Sequence, residues 1–248
     1  MKFSKRIINP LLVIMLSPLF FIVGCTSGDE QILPSTTTEV PSTTTEVPGI
    51  TTTDSDGVTS VDETVLTEVL ETLPEDDLDA EESAGLVYMR EEEKLARDVY
   101  IFLFGTSGAK VFDNISESEQ THTDAILTLL DRYNIIDPVG DNTVGVFEDA
   151  FLQGLYDALT VQGSSSLVNA LYVGAEIEEI DLIDIQNLVD ALDGNEDVAV
   201  VYESLMKGSR NHLRAFVDNL AKQGVDYQPL HLSQEVYDAI INSDIESN

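Results

Sequence analysis

Four stretches of this chain carry apolar side chains at alternating steps of three and four residues, a spacing that commits each to one buried face of an α-helix. The first stripe runs Leu86, Met89, Glu93, Ala96, Tyr100, Leu103, and the second Ile115, Glu119, His122, Ile126, Leu129, Tyr133. The third reads Leu171, Ala175, Glu178, Leu182, Ile185, Val189, Leu192, and the fourth Val198, Tyr202, Leu205, Ser209, His212, Phe216, Leu220. Strand-like alternation is nearly missing over useful lengths. Start and stop signals predict long helices over residues 79–104, 116–133, 166–192 and 196–223, with a cap at Ser116 and stops at Gly105 and Gly224. Shorter helices are expected over 60–73, over 149–161 and from Ser233 onward. Four helices that each bury one stripe make an all-α four-helix bundle. The segment between the second and third, with Pro138, Gly140 and Gly145, is long enough to cross over the bundle from end to end.

Each stripe has a polar break: Glu93; Glu119 with His122; Glu178; Ser209 with His212. A buried carboxylate costs several kcal/mol unless something positive compensates it, and three facing one layer would also repel one another. One or two bound cations remove the difficulty, because carboxylate and imidazole suit iron, manganese or zinc. Glu119 and His122 stand three residues apart, so both side chains reach the same ion from one helical face. No HExxH, CxxC, GxSxG or GxGxxG pattern competes with this reading, and Gly105 to Lys110 (GTSGAK) is a helix stop rather than a phosphate loop. Outside the layer, Glu91, Glu92 and Glu176 read as solvated, and His231 reads as structural. Arg97, Arg210 and Arg214 read as partners for the layer's carboxylates, Tyr100 and Tyr172 as core aromatics.

The layout resembles the ferritin-like carboxylate-bridged superfamily, in which two helices each give a Glu and two each give Glu-x-x-His. Glu93, Ala96, Arg97 and Tyr100 fall in an E-x-x-A-R-x-x-Y pattern similar to rubrerythrin-type sequences. From about Leu86 to Ile240, stretches such as YMREEEKLARDVY, SEQTH and GSRNHLRAF resemble an uncharacterised ferritin-like family. The resemblance implies an iron or manganese site of one or two ions, with redox chemistry on oxygen or peroxide. The alternative is a module that sequesters metal or binds a cell-surface partner without catalysis. It also implies a Glu at position 209, where this chain has Ser209. Asp181, one turn beyond Glu178, the adjacent Glu179 or water can supply the missing oxygen, and stripe phase alone chooses Glu178 over Glu179, so the candidate ligands are Glu93, Glu119, His122, Glu178, Glu179, Asp181 and His212.

The amino terminus points to export. Lys2, Lys5 and Arg6 precede an apolar stretch that Pro10 and Pro18 interrupt, as in a secretory signal peptide. Its end, Ile22-Val23-Gly24-Cys25, resembles the lipobox of bacterial lipoproteins, which implies a signal peptide over 1–24 and a lipid on Cys25. Cys25 is the single cysteine, so no intrachain disulfide can form. Residues 25–60 are expected to be an unfolded stalk, rich in Thr, Ser and Pro and carrying the heptamer PSTTTEV twice in tandem, from Pro34 and from Pro41. A short helical lead-in over 61–75 and the bundle over 76–248 follow. A formal charge of −34 excludes non-specific nucleic-acid binding, since no basic patch can neutralise phosphates. The expected partners are a bilayer through Cys25, metal ions, and further copies of the chain through the bundle. The expected location is the cell envelope.

Overall fold

The computed structural model describes residues 49–54 and 58–247. The signal peptide, Cys25 and the tandem heptamers lie outside the described residues.

The described residues are mostly helical. They form two short strands, β1 (Thr51–Thr53) and β2 (Thr59–Val61), and the helices α1 (Glu63–Leu70), α2 (Ala80–Ser107), α3 (Lys110–Arg132), α4 (Ala150–Gly163), α5 (Leu167–Ala191), α6 (Glu196–Lys222) and α7 (Gln234–Ile241). Asp79 opens α2 with a capping box: its carboxylate accepts from the Glu82 amide, and the Glu82 carboxylate accepts from the Asp79 backbone N–H. That helix passes straight through Gly105 and ends at Gly108, whose φ of 68° is the left-handed turn that glycine adopts without a Cβ penalty. The expected cap at Ser116 is mid-helix instead. Its hydroxyl bonds back to the Asp113 carbonyl, and α3 starts six residues earlier, after Ala109, with no side-chain cap. Tertiary packing against α2 holds that first turn, which local capping chemistry does not mark.

The two-residue turn between α2 and α3 and the short turn between α5 and α6 make two helical hairpins. They pack side by side, α2 on α5 and α3 on α6. The long connection from α3 to α5 contains α4, which lies on α2 and α5. Loop 134–149 is pinned from beneath by Lys94, fully buried, whose Nζ donates to Asp98 (2.5 Å) and to the Thr143 (2.9 Å) and Val146 (3.1 Å) carbonyls.

Two apolar clusters fill the interior. One gathers Tyr100, Leu103, Phe112, Leu171, Phe216 and Leu220; the other gathers Leu86, Met89, Ile126, Leu129, Ile185, Val198 and Leu205. The polar breaks of the four stripes lie between these clusters. Among the described residues, no helix is long and apolar enough to cross a membrane.

The strands correct the expected stalk boundary. Residues 51–53 and 59–61 pair as an antiparallel hairpin, with Ile50, Thr51, Thr59 and Val61 buried. Partners distant in sequence hold it: the Val61 amide donates to Thr121 Oγ1 (2.9 Å), Lys207 Nζ to Thr51 Oγ1 (2.9 Å), and Asn211 Nδ2 to Thr59 Oγ1 (2.7 Å). The segment is too poor in apolar residues to fold alone, and it folds because α3 and α6 supply its surface.

Candidate metal centre

Helix α3 brings Glu119 and His122 onto one face. The α6 helix brings His212 and Ser209, α2 brings Glu93, and α5 brings Glu178 and Asp181. Glu93, Glu119, His122, Glu178 and His212 are each no more than 2% exposed, and Asp181 is 6% exposed. Glu119, His122 and His212 offer ligand atoms that all lie within 4.8 Å of one another, a buried group that can hold a metal ion.

The arrangement is nearly symmetric about Glu119. Its Oε2 lies 2.8 Å from His122 Nδ1, and its Oε1 lies 2.8 Å from His212 Nδ1. A second carboxylate lies near each of the same two nitrogens: Glu93 Oε2 at 3.5 Å from His122 Nδ1, and Glu178 Oε2 at 3.7 Å from His212 Nδ1. The two rings stack at 5.4 Å with 22° between their planes. These separations suit hydrogen bonds, yet the directions do not. Neither Nδ1 has a hydrogen-bond partner, and neither does Glu93 Oε1. Nitrogen and oxygen atoms that share a buried space without hydrogen bonds to one another could hold a metal ion between them. Glu178 is steadied by Tyr100, whose hydroxyl donates to its Oε1 at 2.6 Å.

Electrostatics give the same account. Burial pushes Glu93 up to about 7, although His122 pulls the other way. Burial and the Glu119 charge raise Glu178 to about 6. Burial, with Glu93, Glu92 and Glu178 around it, holds Asp181 well above the usual carboxylate range. Burial would raise Glu119 too, but the His212 and His122 charges outweigh it and hold this carboxyl below its usual range. Burial opposes charging of both imidazoles, and Glu119 overrides it, taking His212 up to about 9 and His122 well above its ordinary value. Without a cation, the layer must hold protons to limit its own charge.

Ser209 stands where the resemblance implies a carboxylate, and its hydroxyl donates to Asp181 Oδ2. The bond joins a carboxylate of α5 to the α6 helix beside His212. Glu179 is not in the cluster. It is buried against the tail, where it accepts hydrogen bonds from the Tyr227 hydroxyl and the amides of Leu230, His231 and Leu232.

Other expectations change as well. Glu91 and Glu92 are buried rather than solvated. Glu91 takes the amides of Glu148 and Asp149, while Glu92 is raised by burial and by the neighbouring Asp184 charge. Glu176 faces His231 at 3.3 Å. Arg97 binds Asp98, Gln120 and Asn142, whereas Arg210 and Arg214 bind Glu246, so the three guanidinium groups serve the loop and the tail. Two groups that touch the histidines carry no sequence signal. The Thr59 carbonyl lies 3.0 Å from His122 Nε2, and Ser118 Oγ lies 3.0 Å from His212 Nε2.

Fold and site together define a mostly helical protein with a buried Glu/His group able to hold a metal ion. Residues 82–244 match the family described as an uncharacterized protein domain, DUF2202, and the chain belongs to that family. The uncharacterized protein MJ0754 of Methanocaldococcus jannaschii is 49% identical over 175 residues, covering 71% of this chain and 94% of the relative. The crystal structure of the hypothetical protein MJ0754 from Methanococcus jannaschii DSM 2661 superposes with a TM-score of 0.69 at 49% identity, over 70% of this chain and 99% of that one. Glu93, Glu119, His122, Glu178, Asp181 and His212 fall inside the family match over residues 82–244, and the β1–β2 hairpin and Cys25 precede it.

Proposed function

We propose that this chain is a ferritin-like four-helix-bundle metalloprotein, lipid-anchored at Cys25 to the cell envelope, whose buried cluster holds two iron or manganese ions for redox chemistry with oxygen or peroxide. The observation that carries the reading is the pair of unpartnered Nδ1 atoms on either side of the one Glu119 carboxylate. Glu119 would help hold both ions, together with His122 and Glu93 for one and His212 and Glu178 for the other. Asp181 adds a fourth carboxylate, so that Glu93, Glu119, Glu178 and Asp181 together balance two divalent charges. Mixed oxygen and nitrogen donors suit iron, manganese and zinc alike.

When bound, two adjacent ions would share the two-electron reduction of peroxide. The chain's own residues hold and insulate the site. The apolar clusters on both sides exclude water, Tyr100 fixes Glu178 and presents a phenolic proton beside it, and Ser209 orients Asp181. The near-complete seal favours a second reading, in which metal is kept rather than turned over. Peroxide consumption by the loaded protein separates the two.

The test is titration of the metal-free protein with Mn²⁺ or Fe²⁺. Wild type takes up two equivalents, Asp181→Asn loses one, and Glu179→Gln keeps both. Failure of wild type to retain stoichiometric metal after reloading refutes the reading. Anchoring is tested apart from this: Cys25→Ser moves the protein from the membrane fraction to the soluble one, and an unchanged distribution rules the lipid out.

A further inference from the structure

Both histidines lean on one atom that lies outside the family-matched helices. His122 Nε2 faces the Thr59 carbonyl at 3.0 Å. That oxygen can only accept, so Nε2 must carry a hydrogen. His212 Nε2 faces Ser118 Oγ at 3.0 Å, and the Ser118 hydroxyl donates to the same Thr59 carbonyl. Its single hydrogen is thereby used, so Ser118 must accept from His212, and that Nε2 also carries a hydrogen. The direction of three hydrogen bonds thus follows from one backbone carbonyl. With Nε2–H fixed in both rings, each neutral imidazole leaves its Nδ1 lone pair open in the space beside Glu119.

From this geometry we infer that the β1–β2 hairpin is a working part of the metal centre: the Thr59 carbonyl, acting on His122 directly and on His212 through Ser118, positions both imidazoles for ligation through Nδ1. The inference rests on the metal-centre reading of the cluster. Metal-bound histidines commonly hold their second nitrogen to a carboxylate or carbonyl, and loss of such a partner weakens metal binding about 10- to 100-fold. What differs here is the source of the partner, a strand that joins the amino-terminal residues to the helices.

Several contacts hold the carbonyl in place. Asn211 Nδ2 donates to Thr59 Oγ1 at 2.7 Å, and Thr121 Oγ1 takes the Val61 amide at 2.9 Å. Gly208 of α6 makes room, since a Cβ there would stand 2.3 Å from His122 Cε1 and 3.5 Å from the Thr59 oxygen. The neighbouring β-strand, not a helix, therefore completes the histidine geometry. The cluster is fully built only when the chain just before α1 is docked.

Long-range proton–nitrogen NMR of the full chain, metal-free and zinc-loaded, tests this together with zinc titration of Ser118→Ala and Ser118→Thr. Zinc-loaded wild type is expected to show both rings protonated at Nε2 and metal-bound at Nδ1. Ser118→Ala loses affinity for one equivalent about 10- to 100-fold, with the His212 signals shifted and the His122 signals kept. Ser118→Thr, which keeps the hydroxyl, restores both. Zinc binding through Nε2, or full affinity for both equivalents in a folded Ser118→Ala, overturns the inference. Wild type that binds no zinc overturns the metal reading itself, whatever the variants do.

Discussion

Gly208→Ala sets two opposite expectations against each other. Gly208 lies inside α6, where replacing glycine with alanine normally stabilises a helix by up to about 1 kcal/mol. Here the added methyl would fall 2.3 Å from His122 Cε1 and 2.6 Å from His122 Nε2, while ordinary contact begins at 3.4 Å. Ring or helix must shift by about 1 Å to restore contact distance. The ring has nowhere equivalent to go, being held by Thr59 at 3.0 Å, faced by Glu119 at 2.8 Å and stacked on His212 at 5.4 Å. Overpacking costs roughly 1–3 kcal/mol, and a weakened bond to the Thr59 carbonyl adds about 1 kcal/mol. Set against the propensity gain, the net loss is about 1–3 kcal/mol. Urea unfolding of the metal-free and the manganese-loaded protein reads the loss directly. It should be larger with metal bound, because the displaced ring also weakens ligation. A variant as stable as wild type or more so, with unchanged metal affinity, refutes the packing argument at His122.

Other perturbations reach separate parts of the molecule. Gly174→Ala, whose Cβ would come 2.5 Å from Phe216 Cε1, should lower unfolding stability by about 1–3 kcal/mol, whereas Gly154→Ala, with nothing within 4 Å, should be neutral or stabilising. Lys94→Met takes one of two cationic partners from buried Asp98, leaving Arg97, and should cost about 1.5–3 kcal/mol, with faster hydrogen exchange at Gly145, whose amide donates to Asp98. Burial opposes the Glu246 charge, but Arg210 and Arg214 hold that carboxyl below its usual value. Its contribution is therefore full above the unfolded-chain value and is lost as pH falls through the lowered folded value. Amide exchange in the tail should accelerate in acid for wild type, and Glu246→Gln should show no such step. A chelator should lower the melting temperature of wild type at neutral pH and leave a Glu119→Ala, His122→Ala double variant unchanged, as calorimetry would record.

The helices were legible because a step of three and four residues leaves little choice of local structure. The polar breaks were legible because each interrupts an otherwise apolar face. Stripe phase favours Glu178 but leaves Glu179 a candidate beside it, and only the structure separates them, with Glu178 near His212 and Glu179 turned to the tail. It also makes Ser209 conspicuous, while the choice among Asp181, Glu179 and water stays open in the sequence; the structure brings Asp181 to Ser209 across the α5–α6 seam. What escaped was tertiary. The hairpin has no amphipathic pattern of its own and takes its partners from α3 and α6. The amino-terminal turns of α3 rest on α2 rather than on a cap. Glu91 and Glu92 read as solvated because charge in a run of three glutamates looks superficial, while loop 134–149 and α5 cover them. Thr59 acts through its backbone carbonyl, which no side-chain pattern can reveal.

The most direct test of the central claim is anomalous X-ray scattering from crystals of the Mn²⁺-loaded protein. Two peaks are predicted, one on each side of Glu119. The first would lie against His122 Nδ1 and Glu93, and the second against His212 Nδ1 and Glu178. No anomalous peak at the cluster, with Glu119 closing its own hydrogen bonds to two protonated imidazoles, would contradict the account.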